Sequence, residues 1–355
     1  MPLNLQIDRE SGVENYYAIY DRNSSLKAYI AIDSTVLGPA IGGCRMLPYS
    51  SDEDAIQDVT RLAKSMTYKS ALSGIAYGGG KSVIIPPSGN FDRVALFESF
   101  GNFVNSLGSK YITAIDSGTT MTDMDIVSRR TSYVTGYNNQ SNCAINPSYY
   151  TAKGVFEALL ASVNHANGAK DLIGMKILVK GVGNVGQYMV EFAKEHGAEV
   201  FISDVDLQKV KACSLKTGAT PILPEHVSHA EVDILCPCDV EPLVTSKNID
   251  DIKASIIVGA TNNQLQHESL GEKLRDNGIL YCPDYLANAG GLVYVTKLYE
   301  GVSVDDIEDH LKRIGETATR VFQIADELHS STTEAANTCA QSFIDEHTVK
   351  HSISA

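Results

Sequence analysis

The 355-residue chain has no run approaching the roughly 20 apolar residues of a membrane span. It has no basic stripe either: 29 Lys and Arg against 43 Asp and Glu leave a formal net charge of −14, the wrong sign for a partner built of phosphates. Nucleic acid and membrane are therefore not expected as partners. The opening "MPLNLQIDRESG" lacks a positively charged start followed by an apolar stretch, so the cytoplasm is the expected compartment. Cysteines are few, odd in number and scattered (Cys44, Cys143, Cys213, Cys236, Cys238, Cys282, Cys339), which suits reduced thiols better than a disulfide framework. Cys236 and Cys238 form C-x-C rather than C-x-x-C, and His226 and His229 make only a loose H-x-x-H, so no metal site is expected.

A true phosphate-binding loop is missing too. "SGIAYGGGKSVIIPP" (73–87) ends like one in Gly80, Lys81 and Ser82, but the opening glycine of G-x-x-x-x-G-K-[ST] would fall at position 75, which is Ile75. The stretch reads instead as a tight glycine turn leading into an apolar strand, with Lys81 available for chemistry.

What is present is apolar content enough for two cores, 43% of residues. In the first part, "KAYIAIDS" and "KSVIIP" read as strands. A helix capped by Ser51 buries Ala55, Ile56, Val59, Leu62, Ala63 and Met66, with Lys69 just past its end. A second helix, from about Phe91, is expected to bury Val94, Phe97, Phe100, Val104 and Leu107, and "YITAID" rises as a strand to Asp116. The Asn- and Ser-rich stretch 135–148 reads as a linker. Beyond it "MKILVKG", "AEVFISD", "VDILCP", "SIIVGA" and "GILYCP" alternate with helical segments, the pattern of a parallel sheet in an α/β layer fold.

"GVGNVG" supplies Gly181, Gly183 and Gly186 as G-x-G-x-x-G, with Asn184 and Val185 between them. It follows a strand, opens a helix, and is followed about 20 residues on by Asp204 at the end of a second strand, the context a dinucleotide fingerprint requires. Asp204 would take the ribose hydroxyls and repel a 2′-phosphate, so the expected cofactor is NAD.

A nicotinamide enzyme acting on an amino or hydroxy acid needs a cation for the substrate carboxylate, an acid/base group, and often a carboxylate for nitrogen protons. Lys69, Lys81 and Asp116 offer these. At this point the sequence resembles the Glu/Leu/Phe/Val dehydrogenase family, through "LGPAIGGCRMLPY" (37–49), "MTYKSAL", "GGGKSVII", "YITAIDSGTTMTDMD", "GVGNVG", "ATNNQL" (260–265) and "PDYLANAGGL" (283–292). The resemblance implies reversible NAD-linked oxidative deamination of an L-amino acid to its 2-oxo acid and ammonia. It implies Lys69 on the substrate carboxylate, Lys81 as acid/base and Asp116 as proton carrier for nitrogen. It also places Thr151 and Asn262 at the nicotinamide and its ribose, and Asn288 as a polar contact on the substrate side or the nicotinamide side, counted here with the substrate-binding residues. Ile41, Gly42, Ala114, Leu292 and Val295 correspond to the side-chain pocket. They are apolar or small, and no cation awaits a glutamate side chain, which points to leucine, valine or isoleucine.

The sequence departs from the family at "CPCDVEPLV", where Asp239 and Glu241 add negative charge near the expected cofactor. The resulting expectation is a two-domain α/β protein: a mixed α/β substrate-binding and oligomerisation domain at 1–147, completed by 331–355, and a Rossmann-like NAD-binding domain at 148–330, separated by a cleft. A homo-oligomer, from dimer to octamer, is implied by the resemblance. The alternatives are a dehydrogenase of phenylalanine or tryptophan, and a weakly catalytic NAD-binding regulator.

Overall fold

The computed structural model describes residues 13–138 and 147–354. Its first sheet is built from β1 (Asn15–Asp21), β2 (Leu26–Ser34), β3 (Ala40–Met46), β4 (Gly78–Ile84) and β5 (Tyr111–Ile115), and its helices here are α1 (Asp52–Ser73), α2 (Arg93–Ser106) and α3 (Met121–Ser128). The strand order is β1-β2-β4-β3-β5, with β1 and β4 antiparallel to β2 and β3 parallel to both β4 and β5. Because β4 is buried along its whole length, both faces must be covered. On one face Leu96, Phe97, Phe100 and Phe103 of α2 pack with Ile30, Ile84 and Tyr111. On the other, Ala55, Val59 and Ala63 of α1 pack with Tyr29, Ala31 and Val83.

Helix α1 starts where Ser51 accepts a hydrogen bond from the Asp54 amide, and it stops at Gly74, whose φ of 65° places it in the left-handed region. Lys69 therefore lies inside the helix and not beyond it. The glycines before Lys81 are not a turn either; they open β4. A Cβ on Gly79 would lie 2.1 Å from Thr67 Oγ1 and 2.5 Å from the Ala63 carbonyl, so the glycine is the seat on which α1 rests. In α2, Val94 is 46% exposed, and Leu96 and Phe103 take the core positions.

The second part runs α4 (Pro147–Asn167), β6 (Lys176–Lys180), α5 (Asn184–Glu195), β7 (Glu199–Ser203), α6 (Leu207–Thr217), β8 (Thr220–Pro221), β9 (Ile234–Pro237), β10 (Ile256–Ile257), α7 (Leu270–Asp276), β11 (Leu280–Tyr281), α8 (Asp284–Ala287), α9 (Gly290–Glu300), α10 (Val304–Leu328) and α11 (Thr332–Ser354). Its sheet is parallel, ordered β11-β10-β9-β6-β7-β8. Numbered from β6, that is the 3-2-1-4-5-6 order of a dinucleotide-binding fold.

The described residues fall into two units, 13–138 with 295–303 and 340–354, and 147–294 with 304–339. The boundaries near 294 and 339 fall within α9 and α11, where the sequence reading had placed one boundary at 330. Most of the linker stretch 135–148, with Cys143, lies outside the described residues. No described helix is long and apolar enough to cross a membrane.

Candidate active site

In the first unit, Gly79, Lys81 and Val83 share the face of β4 that carries α1, because side chains alternate along a strand. Strand β3 separates β4 from β5. The register pairs Ile41 with Gly79 and Cys44 with Ser82 on one side, and Gly43 with Ala114 on the other. Gly43 thus stands between Lys81 and Ala114 with no side chain to divide them. Across that gap Lys81 Nζ comes within 2.5 Å of Asp116 Oδ2.

Asp116 is fixed by the turn that follows β5. Its amide donates to Thr119 Oγ1 at 2.9 Å, and that hydroxyl lies 2.9 Å from the Cys44 carbonyl on β3. Gly118 has φ of 80°, and a Cβ there would meet the Met46 carbonyl at 1.9 Å, so this turn requires glycine. Burial pushes the Asp116 carboxyl up, but the charges of Lys81 and Arg45 outweigh it and hold the group below the usual aspartate range.

Arg45 and Asp58 were not singled out from the sequence, where "GGCRM" offered no signal for an ion pair. Arg45 Nε lies 3.6 Å from Asp116 Oδ2, and Arg45 Nη1 lies 2.9 Å from Asp58 Oδ2. Tyr49 donates to the same Asp58 oxygen at 2.7 Å. Lys69 is on α1, where its carbonyl accepts the Ser73 hydroxyl.

Of the residues expected at the substrate side chain, Ile41 and Ala114 are buried in β3 and β5. Gly42 faces backbone: a Cβ there would meet the Gly80 carbonyl at 1.8 Å. Val295 belongs to the same unit, and its carbonyl accepts the Thr135 hydroxyl at 2.8 Å. Leu292 and Asn288 belong to the second unit.

There the three glycines of the fingerprint have different reasons to be glycine. Gly181 has φ of 94°, and a Cβ on it would lie 2.7 Å from the Asp239 amide nitrogen. A Cβ on Gly186 would lie 1.9 Å from the Gly181 carbonyl, so α5 is pressed against the loop at that point. Gly183 caps α5 with an ordinary φ of −70°, and a Cβ there would meet nothing within 4 Å. Its bareness leaves the helix N-terminus open, with Asn184 and Val185 beginning the first turn, where amides and dipole favour an anion. Asp204 accepts from the Val182 amide at 2.8 Å and the Asp206 amide at 2.9 Å, tying the loop to the end of β7. These residues fit a dinucleotide.

The expected charge problem at "CPCDVEPLV" is half resolved. Asp239 forms an ion pair with Lys180 at the end of β6, while Glu241 stays exposed. Elsewhere in this unit Asn288 Nδ2 donates to Asn262 Oδ1 at 2.8 Å and to the Ala260 carbonyl at 3.1 Å. Thr151 on α4 abuts α9 at Gly291, where a Cβ would lie 2.6 Å from its hydroxyl.

Comparison with known proteins adds an independent finding. Residues 16–133 match the family model described as Glu/Leu/Phe/Val dehydrogenase, dimerisation domain, and residues 202–351 match the Glutamate/Leucine/Phenylalanine/Valine dehydrogenase model. A leucine dehydrogenase of Geobacillus stearothermophilus is 38% identical over 92% of this chain and 89% of its own. A valine dehydrogenase of Streptomyces virginiae is 38% identical over 90% of each. The crystal structure of L-tryptophan dehydrogenase from Nostoc punctiforme superposes with a TM-score of 0.85 at 38% identity, covering 96% of this chain and 98% of that one.

Proposed function

The chain belongs to the Glu/Leu/Phe/Val dehydrogenase family of oxidoreductases, and from that premise we propose that it catalyses the reversible NAD-dependent oxidative deamination of a branched-chain aliphatic L-amino acid. The balanced reaction takes the amino acid, NAD⁺ and water to the 2-oxo acid, ammonium, NADH and a proton. The observation that carries the reading is the Lys81–Asp116 pair, 2.5 Å apart over the bare Gly43, on a rigid sheet.

In this reading Lys69 takes the substrate carboxylate. Lys81 withdraws a proton from the attacking water and returns one to the oxo oxygen in the reverse direction. Asp116 receives and returns the protons of nitrogen, and its depressed carboxyl keeps it ready as a base at neutral pH. When bound, NAD supplies the oxidant for the substrate Cα–H bond. The glycine loop would hold its pyrophosphate at Gly183, Asn184 and Val185, and Asp204 would take the ribose hydroxyls, which favours NAD over NADP. Thr151 and Asn262 are assigned to the nicotinamide side of the cofactor, and Asn288, which donates to Asn262, to the substrate.

The substrate side chain is assigned to Ile41, Ala114 and Val295 of the first unit, all apolar. A charged side chain would be desolvated there without a partner, which speaks against glutamate. The matched dimerisation-domain model supports a homo-oligomer.

The test is NADH formation at alkaline pH from a panel of L-amino acids, with NAD and NADP compared and Lys81→Ala alongside. Turnover of leucine, valine or isoleucine with NAD, lost in the variant, is the expected result. Preference for phenylalanine or tryptophan would overturn the substrate assignment and leave the reaction standing; silence with NAD still bound would overturn both.

A further inference from the structure

We propose that Arg45 is the positioning residue for Asp116: tethered at its far end by Asp58, its guanidinium holds the Asp116 carboxylate toward Lys81 and supplies the fixed positive charge of the site. The inference rests on the assignment of Lys81 and Asp116 made above.

Arg45 is two residues beyond Gly43 on β3 and so shares its face. The register that pairs Cys44 with Ile115 brings Arg45 level with Asp116. Arg45 Nε is buried and, among the described residues, makes no hydrogen bond, while the buried Asp116 Oδ2 that it faces is already engaged by Lys81 Nζ at 2.5 Å. At 3.6 Å they need close by less than about 1 Å to form a charge-assisted one. The other end of Arg45 cannot swing away. Asp58 binds it at 2.9 Å and is itself held by the Tyr49 hydroxyl at 2.7 Å and by Arg61 at 2.8 Å. Lys81, Asp116, Arg45, Asp58 and Arg61 thus alternate in sign from the buried site to the exposed Arg61.

The groups acting on Asp116 are Lys81 from β4, Arg45 and Cys44 from β3, Tyr111 from its own strand, and the Ser117 amide. Burial pushes the Cys44 thiol up to about 12 and raises the Tyr111 phenol, so both stay neutral at working pH. Lys81 and Arg45 are left as the charges that matter. Lys81 changes its charge whenever it gives up a proton, and an arginine does not. At that moment Arg45 alone prevents Asp116 from capturing a solvent proton, and it keeps the carboxylate available for the substrate nitrogen.

The experiment is the pH profile of kcat and kcat/KM for wild type, Arg45→Gln, Arg45→Lys and Asp58→Asn, with NAD binding and thermal unfolding measured on each. In Arg45→Gln the acid limb is expected to move up by about 1 to 3 pH units, since loss of an opposite charge at this range raises a carboxyl by that much. At neutral pH kcat should fall at least tenfold while NAD affinity is unchanged. Arg45→Lys should recover more than half of the shift, and Asp58→Asn should move the limb the same way by less. An unmoved acid limb in Arg45→Gln, or Arg45→Lys no better than Arg45→Gln, overturns the proposal. Should Arg45→Gln fail to fold, an unmoved limb in Asp58→Asn does the same. A wild type that forms NADH from none of the amino acids would remove the dehydrogenase reading instead. The acid loss of thermal stability, which should be smaller in Arg45→Gln than in wild type because its Asp116 carboxyl is less depressed, still tests Arg45 in that case.

Discussion

Gly43 lies so close to Asp116 that a Cβ on it would come within 2.7 Å of the aspartate's own Cβ and 2.8 Å of the Ile115 carbonyl. The strand between the two proposed catalytic groups is bare because anything larger would push them apart. Gly43→Ala is expected to fold, destabilised by about 1 to 3 kcal/mol as overpacked sites are, and to lose at least a hundredfold in kcat. Unimpaired turnover in a folded Gly43→Ala would show that the Lys81–Asp116 spacing is not what the reaction depends on.

The glycine fingerprint predicts a contrast between two substitutions of the same kind. Gly183→Ala meets no atom of the chain, so its thermal unfolding without cofactor should match wild type, while its KM for NAD should rise about tenfold or more. Gly186→Ala would drive a Cβ to 1.9 Å from the Gly181 carbonyl and should lower stability with or without NAD. Equal NAD affinity in Gly183→Ala and wild type would count against pyrophosphate binding at this helix end.

Asp116 makes stability depend on pH in a defined direction. Its folded carboxyl is held below the usual aspartate value, so its contribution is fully present above that value and is lost as pH falls through the lowered one. Asp116→Asn also strands a buried Lys81, and should cost about 3 kcal/mol at neutral pH. Its unfolding temperature should then change less than wild type's between neutral and acid pH. Parallel profiles for the two proteins would rule this linkage out.

Lys180→Met would expose the Asp239 charge beside the nucleotide loop. We expect KM for NAD to rise several-fold, on the order of 1 kcal/mol for a partly exposed pair, and to return in Lys180→Met with Asp239→Ala. Failure of the double substitution to restore binding would mean that Lys180 acts on the cofactor directly.

Much of this was legible in the sequence, and the gaps have physical causes. The five longer apolar stretches of the second unit all became strands, because a parallel sheet covered on both faces demands continuous apolar runs. Strand β3 went unread because Gly42 and Gly43 erase its alternation, and the glycines of β4 imitated a turn for the same reason. Val94 misled because its spacing fits the apolar stripe of α2, while Leu96 and Phe103 proved to point inward. The residues assigned to catalysis could be picked out by motif, but the Arg45–Asp58 support could not. Its partners come from β3, α1 and the turn after β5, and only the folded register brings them together.

The order in which the chain visits its two units has a consequence for its synthesis. The first unit is completed by residues 295–303 and 340–354, where Val295 receives the Thr135 hydroxyl and Gln341 receives that of Tyr68 at 3.4 Å. A nascent chain leaving the ribosome therefore presents Lys69, Lys81 and Asp116 in a unit that lacks two of its segments until residues 340–354 have been made. The first unit is begun before the second and completed after it, so termination between residues 304 and 339 should leave the first unit without its 340–354 segment.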